Sequence, residues 1–176
     1  MGLARIKKYT IEDIYKLPEG TRAELIDGTM YMMAPPNSRH QQISMLLSVE
    51  ISNYIKEKKG DCMVFAAPFA VFLNNDDKLY VEPDISVICD RSKVTDRGCN
   101  GAPDWIIEIV SASSRRMDYI VKLFKYRAAG VREYWIVDPE KSRIMVYNFE
   151  NESGGEYSFS EPVPSGIFDD LAIKIQ

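Results

Sequence analysis

A chain of 176 residues, 45% hydrophobic and 27% charged, is long enough to bury one sizeable core and too short to suggest two domains. A net charge of −4 and a pI near 5.1 exclude a protein that coats nucleic acid through bulk positive charge, while leaving room for a local basic face. The amino terminus "MGLARIKKYT" has no apolar stretch of signal-peptide length, and no run approaches the roughly 20 apolar residues of a membrane span, so a cytoplasmic globular protein, ordered beyond its first few residues, is expected. Cys62, Cys89 and Cys99 form no CxxC pair, and this odd, scattered set reads as structural thiols in a reducing compartment.

In chain order, Thr10 as N-cap with Asp13 as its capping-box partner predicts a short helix that Pro18 ends. Strands over 22–26 and 29–34 follow, joined by Asp27-Gly28, a dipeptide suited to a tight hairpin turn. Pro35-Pro36 breaks the chain. Ser38 and Gln41 then make a capping box for the longest helix, whose apolar residues Ile43, Leu46, Leu47, Ile51 and Tyr54 recur at helical spacing up to Gly60. Glu50 falls on that stripe. "CMVFAAPFAVFL" predicts a strand pair or one strand bent at Pro68, and a further strand is expected over 80–89.

The next strand, 104–110, leads through a serine-rich turn into a helix over 115–129 that Gly130 closes as a left-handed cap. "EYWIVD" and "RIMVYNF" are two more strands around the turn 139–142, and the tail to "LAIKI" reads as an edge strand or a wrap. There is no internal repeat, and this alternation predicts an α/β domain with a central mixed sheet flanked by helices. Between Arg115 and Arg132 stand six basic residues against one acid, Asp118, which is either a solvated helix face or the place of phosphate contact.

The chemistry lies in carboxylates. On a strand, Glu108 shares a face with Ile106 and Val110, while Trp105, Ile107 and Ile109 point the other way, so both faces look covered. An ionised glutamate there must be protonated, ion-paired or metal-bound. Asp84 follows Pro83 and precedes Ile85, Val87 and Ile88. If the two strands are neighbours, Asp84 and Glu108 converge. Two carboxylates about 4 Å apart repel by roughly 4 kcal/mol, which calls for a cation, best Mg or Mn.

"VEPDISVICD", then "EIV" with Glu108 24 residues after Asp84, then "DYIVKLFKYRAAGVREYWIVDP", with "AELIDG" and "SRHQQI" upstream, resembles the Uma-type family of endonucleases over about residues 10–150. The resemblance implies a restriction-endonuclease-like fold, whose signature is Pro-Asp, a gap, then (Asp or Glu)-x-Lys. It also implies a metal-dependent endonuclease hydrolysing phosphodiester bonds in DNA. Asp84, Glu108 and the backbone carbonyl of Ile109 would hold Mg (or Mn), and a homodimer addressing two strands is expected.

The chain departs from the signature at Val110, where lysine should stand. The family pattern offers Lys122 instead, from Asp118-x-x-x-Lys122. Helical geometry favours Lys125, because Met117, Ile120, Val121, Phe124 and Ala128 define the expected buried face. Glu24 matches the family's early acidic position and is preferred over Glu50 as a third acidic group. His40 matches too, and reads as a capping or packing residue rather than a base. Asp104 reads as a turn residue. Asp118, Lys122 and Tyr126 form an i, i+4, i+8 stripe, either an exposed ion pair with an aromatic neighbour or a substrate-facing row. The alternative function is a non-catalytic nucleic-acid-binding or assembly module that kept the fold.

Overall fold

The computed structural model describes residues 8–74 and 76–175; the expectation for the first few residues concerns positions outside this range. Helix α1 (Ile11–Tyr15) starts where the Asp13 carboxylate accepts the Thr10 N–H at 2.9 Å. Strands β1 (Ala23–Ile26) and β2 (Thr29–Met32) form a hairpin, with Asp27 at φ 52° and Gly28 at φ 75° making the turn expected of that dipeptide. Helix α2 (Ser38–Glu57) is capped by Asn37, not Ser38: the Asn37 side chain accepts the His40 N–H at 2.9 Å. It buries Ile43, Leu47, Ile51 and Ile55, and Glu50 lies exposed beside that row.

Beyond α2 run β3 (Met63–Ala66), β4 (Val71–Phe72), β5 (Ile85–Ile88), β6 (Val94–Thr95), β7 (Gly98–Asn100) and β8 (Trp105–Ile109). The strand expected over 80–89 is interrupted: Tyr80 and Val81 bridge to Leu25 and Val71, and only after Pro83-Asp84 does the chain enter the main sheet. Proline lacks the N–H that a continuous ladder needs, so the interruption falls at Pro83. A π-helical turn (Met117–Lys122) runs into α3 (Leu123–Ala129), closed by Gly130 at φ 92°. Strands β9 (Glu133–Asp138), β10 (Arg143–Asn148), β11 (Ser153–Ser158), β12 (Val163–Pro164) and β13 (Ala172–Ile173) complete the chain.

The main sheet has the order β11-β10-β9-β8-β5-β3. It is mixed: β8 and β9 are parallel, joined by the π turn and α3, and its other pairs are antiparallel. One face packs Trp105, Ile107, Ile109, Trp135 and Val137 against α2 and the tail residues Leu171, Ile173 and Ile175. The other packs Ile106, Val110, Tyr134 and Ile136 against Tyr126, Val71 and Cys99. The architecture is therefore the expected α/β fold with a central mixed sheet between helices. The alternation along β8 assigns Glu108 to the second face, as its sequence pattern required.

The cysteine reading is corrected. Cys62 precedes β3 and Cys89 follows β5, and the antiparallel register Met63↔Ile88 sets them opposite each other, joined as a disulfide. Strand pairing, invisible in the spacing, is what brings them together; Cys99 stays a free, buried thiol.

Candidate functional site

The pairing of β5 with β8 sets the frame. The register Ile85↔Ile107, continued by one residue, puts Asp84 opposite Glu108. Asp84 Oδ2 accepts the Ile109 N–H at 2.7 Å and lies 3.1 Å from His40 Nε2, at the first turn of α2. His40 and Asp84 side chains are 13% and 16% exposed, so this pair forms the rim of the site. Burial lowers the His40 pKa, but the hydrogen bond and charge of Asp84 prevail and raise it.

Behind the rim lies a buried charge hub. Lys122 Nζ donates to Glu24 Oε1 and to Glu108 Oε1, each at 2.9 Å, and stands 3.7 Å from Asp118 Oδ1. Tyr126 donates its hydroxyl to Glu108 Oε1 at 2.6 Å. The four charged side chains are 3–6% exposed. An ammonium in such a place is desolvated at a cost of several kcal/mol, which only close, hydrogen-bonded anions offset. Burial raises the Glu108 pKa well above the ordinary carboxylate range, although Lys122 opposes it. Burial likewise pushes Asp118 up to about 6 against the pull of Lys122. Lys122 is itself pulled down by burial, yet Glu108, Glu24 and Asp118 together hold it well above its usual value, so it stays charged.

The hub is braced from three directions. Glu24 sits on β1, and its Oε1 also accepts the Glu82 N–H at 3.0 Å. Glu82, buried, is held by Arg22 Nε at 2.7 Å and by the Tyr80 hydroxyl at 2.6 Å. The Tyr134 hydroxyl donates to the Asp118 carbonyl at 3.0 Å, fixing the helix to β9.

The helix carrying Lys122 is rotated from the orientation its apolar residues predict, with Met117 and Val121 still half-buried against the core. Asp118, Lys122 and Tyr126 are buried, whereas Ile120 is 51% and Phe124 67% exposed. In an α-helix, four residues overshoot a full turn by about 40°, so an i, i+4, i+8 row drifts around the axis. The wider π turn rotates less per residue and cancels that drift between Asp118 and Lys122, so all three face Glu108. Lys125 points elsewhere, to Asp27 Oδ1 at 2.6 Å.

Of the residues picked from sequence, Glu24, Glu108 and Lys122 meet in one cluster, and Asp84 lies at its edge with His40. Glu50 is exposed on α2 and takes no part. Asp104 is structural: its carboxylate accepts from Cys89 N at 2.7 Å and pairs with Arg132. Val110, in the signature's lysine position, is 4% exposed and belongs to the apolar core. His40 is more than a cap, since its ring reaches Asp84. The brace of Arg22, Tyr80 and Glu82 was missed; the only sequence signal for it is Glu82 in the apolar-flanked "YVEPD".

Among the described residues, no three His, Cys, Asp or Glu side chains stand in metal-ligating geometry. The Lys122 ammonium holds Glu24 and Glu108 in their present orientations. The donor chemistry nevertheless fits a hard divalent cation: Glu24, Glu108 and Asp118 stand around one ammonium, Asp84 lies opposite Glu108 at the rim, and Asp118 Oδ1 is buried without a hydrogen-bond donor.

The chain is similar over 74% of its length to an uncharacterized protein of Synechocystis sp., 26% identical over 132 residues and matched over 67% of that protein. Its fold is similar to the crystal structure of "a putative nuclease belonging to DUF820" from Anabaena variabilis, with TM-score 0.75, 22% identity and 94% of each chain covered. The model of the Uma2 family, described as "Putative restriction endonuclease", matches residues 11–169, and the chain belongs to that family.

Proposed function

We propose that the protein is a divalent-cation-dependent nuclease that hydrolyses phosphodiester bonds in DNA. The observation that carries this reading is the buried Glu24–Lys122–Glu108 cluster with Asp84 beside it at a partly open rim. Asp84, Glu108 and the Ile109 carbonyl would hold Mg or Mn. In an extended strand a residue's C=O projects to the same edge as its N–H, and the Ile109 N–H already meets Asp84. When held there, such an ion would supply the activation of a water molecule and the neutralisation of charge on the phosphoryl oxygens.

The chain's own residues do the rest. Lys122 donates hydrogen bonds to Glu24 and Glu108 and has Asp118 at 3.7 Å; its remaining N–H, held in no hydrogen bond to Asp118, would turn to the attacking water or to a non-bridging phosphate oxygen and counter charge developing in the transition state. Glu24 and Tyr126 hold the lysine and Glu108 in register. His40 fixes the Asp84 carboxylate. In the net reaction, the water oxygen bonds to phosphorus, the bond to the leaving oxygen breaks, and the water's proton ends on that oxygen.

Incubating supercoiled and linear DNA with wild type, Asp84→Ala and Lys122→Ala in Mg or Mn tests the reading. Metal-dependent nicking by wild type, reduced at least a hundredfold in both variants, is expected. Equal cleavage by wild type and Asp84→Ala refutes it. A protein inert under all conditions is instead a scaffold in which Lys122 only neutralises buried carboxylates.

A further inference from the structure

The rotation of this helix leaves the apolar side chains Ile120 and Phe124 in water beside the site. Arg116, Ile120 and Phe124 follow one another at i, i+4, i+8 on the exposed side, opposite the Asp118–Lys122–Tyr126 row. Next to them an open groove of about 510 Å³ runs between the Ala112-Ser113 turn, Arg116, Ile120 and Lys141. Arg115, at the groove wall, is committed to Asp138 and Glu140. Arg116 and Lys141 form no ion pair among the described residues. Two cations outside any such pair, of which Lys141 also feels the more distant charge of Asp138, thus flank an exposed isoleucine and phenylalanine.

The groove begins where the site ends. Ala112 and Ser113 lie three and four residues beyond Ile109, whose N–H holds the Asp84 carboxylate, so at most about 14 Å of chain separates them. A ligand that matches this surface carries regularly spaced negative charge and flat apolar faces. A duplex offers the charge but keeps its base faces stacked inside, leaving Ile120 and Phe124 with nothing to contact. An unpaired strand offers both, since each base has an open face for an apolar or aromatic side chain.

We infer that this groove seats an unpaired DNA strand flanking the bond to be cut, with Arg116 and Lys141 on its phosphates and Ile120 and Phe124 under its bases. The inference rests on the nuclease reading for its placement, and commits that reading to single-stranded or frayed DNA.

The test is fluorescence anisotropy with a labelled single-stranded oligonucleotide and its duplex, on full-length Asp84→Ala protein in EDTA, where no cleavage occurs. Single strand is expected to bind at least tenfold more tightly than duplex. The pair Arg116→Ala/Lys141→Ala should reduce the slope of log K against log salt by about 1.4, two phosphate contacts at roughly 0.7 each. The pair Ile120→Ser/Phe124→Ser should weaken binding about tenfold with the slope unchanged. Equal or tighter duplex binding overturns the inference, as do surface variants that bind within twofold of the parent. If wild type cleaves DNA and these variants bind normally, the groove fails and the nuclease stands. If binding follows the pattern above and wild type never cleaves, the groove stands and the nuclease fails.

Discussion

Replacing Lys122 by Met removes the one cation among Glu24, Glu108 and Asp118 while keeping most of the side-chain volume. Each of the three loses an attractive partner at 2.9–3.7 Å and remains buried. Breaking a buried ion pair from one side costs about 3–5 kcal/mol. For a chain of 176 residues, with about 2–4 °C of Tm per kcal/mol, the expected loss at pH 7 is roughly 6–20 °C. The sign with pH is fixed by the same geometry. Without the ammonium, which opposes the upward shift of Glu108 and Asp118, the pKa values of these two rise further in the folded state, so it takes up protons and the deficit shrinks as pH falls from 7 towards 5. Differential scanning calorimetry of wild type and Lys122→Met at pH 5, 6 and 7, with and without Mg or Mn, reads both effects. A divalent ion should restore part of the lost Tm in the variant, because it supplies the missing positive charge to the same oxygens. A variant melting within 2 °C of wild type at pH 7 would show that Lys122 does not neutralise this cluster.

Three smaller perturbations probe other parts of the structure. Tyr126→Phe takes one donor from Glu108 and should cost about 1–3 kcal/mol in urea unfolding, with far-UV circular dichroism unchanged; a cost under 0.5 kcal/mol would remove Tyr126 from the hub. Asp118 has a folded pKa of about 6 against 3.8 unfolded, so the folded state binds the extra proton between those values and stability falls as pH rises through them, by up to about 3 kcal/mol. Asp118→Asn should flatten that slope, and an unchanged slope places the titration elsewhere. Cys62→Ser opens a loop of 27 residues, and under oxidising conditions should cost about 3.5 kcal/mol, an effect that vanishes when both proteins are measured with a reductant.

Much of the fold is legible in the sequence because local chemistry dictates it. The Asp27-Gly28 hairpin, the Gly130 cap and the two-faced alternation of β8 each follow from a residue's own backbone or side-chain preference. The convergence of Asp84 and Glu108 is conditional in the sequence on β5 and β8 being neighbours, and the Ile85↔Ile107 register meets that condition. What was not legible depends on partners far along the chain. Nothing near Cys62 announces Cys89, since only the β3–β5 register aligns them. The Asn37 cap beats Ser38 by one position, a choice made by where the chain turns after Pro36.

The helix after β8 misled for a physical reason. Apolar periodicity predicts burial of Ile120 and Phe124, and the rule fails because Asp118, Lys122 and Tyr126 find buried partners that outweigh the burial of two apolar side chains. Burying each of those would contribute about 1.5–3 kcal/mol, comparable with a single charged contact in the hub. The lysine that the family pattern offers, Lys122, is the one that lies beside Glu108, and the one that α-helical geometry prefers, Lys125, reaches Asp27 instead, because the π turn changes the angle at which the row meets the sheet.

The Glu24–Lys122 contact closes a span of 98 residues, while Lys122 and Glu108 are only 14 apart. A chain emerging from synthesis can pair the last two as soon as β8 and its helix exist, but the hub is complete only when the amino-terminal hairpin docks onto them. Such long-range closure costs more chain entropy than local structure, so the docking of β1 is expected to come late in folding. Until then Lys122 has a reduced complement of anions and the carboxylates lack their fixed geometry. Completion of the fold and completion of the charge cluster are thus one event, and hydrogen exchange at Leu25 and Tyr80, whose backbones bond to each other, would time it.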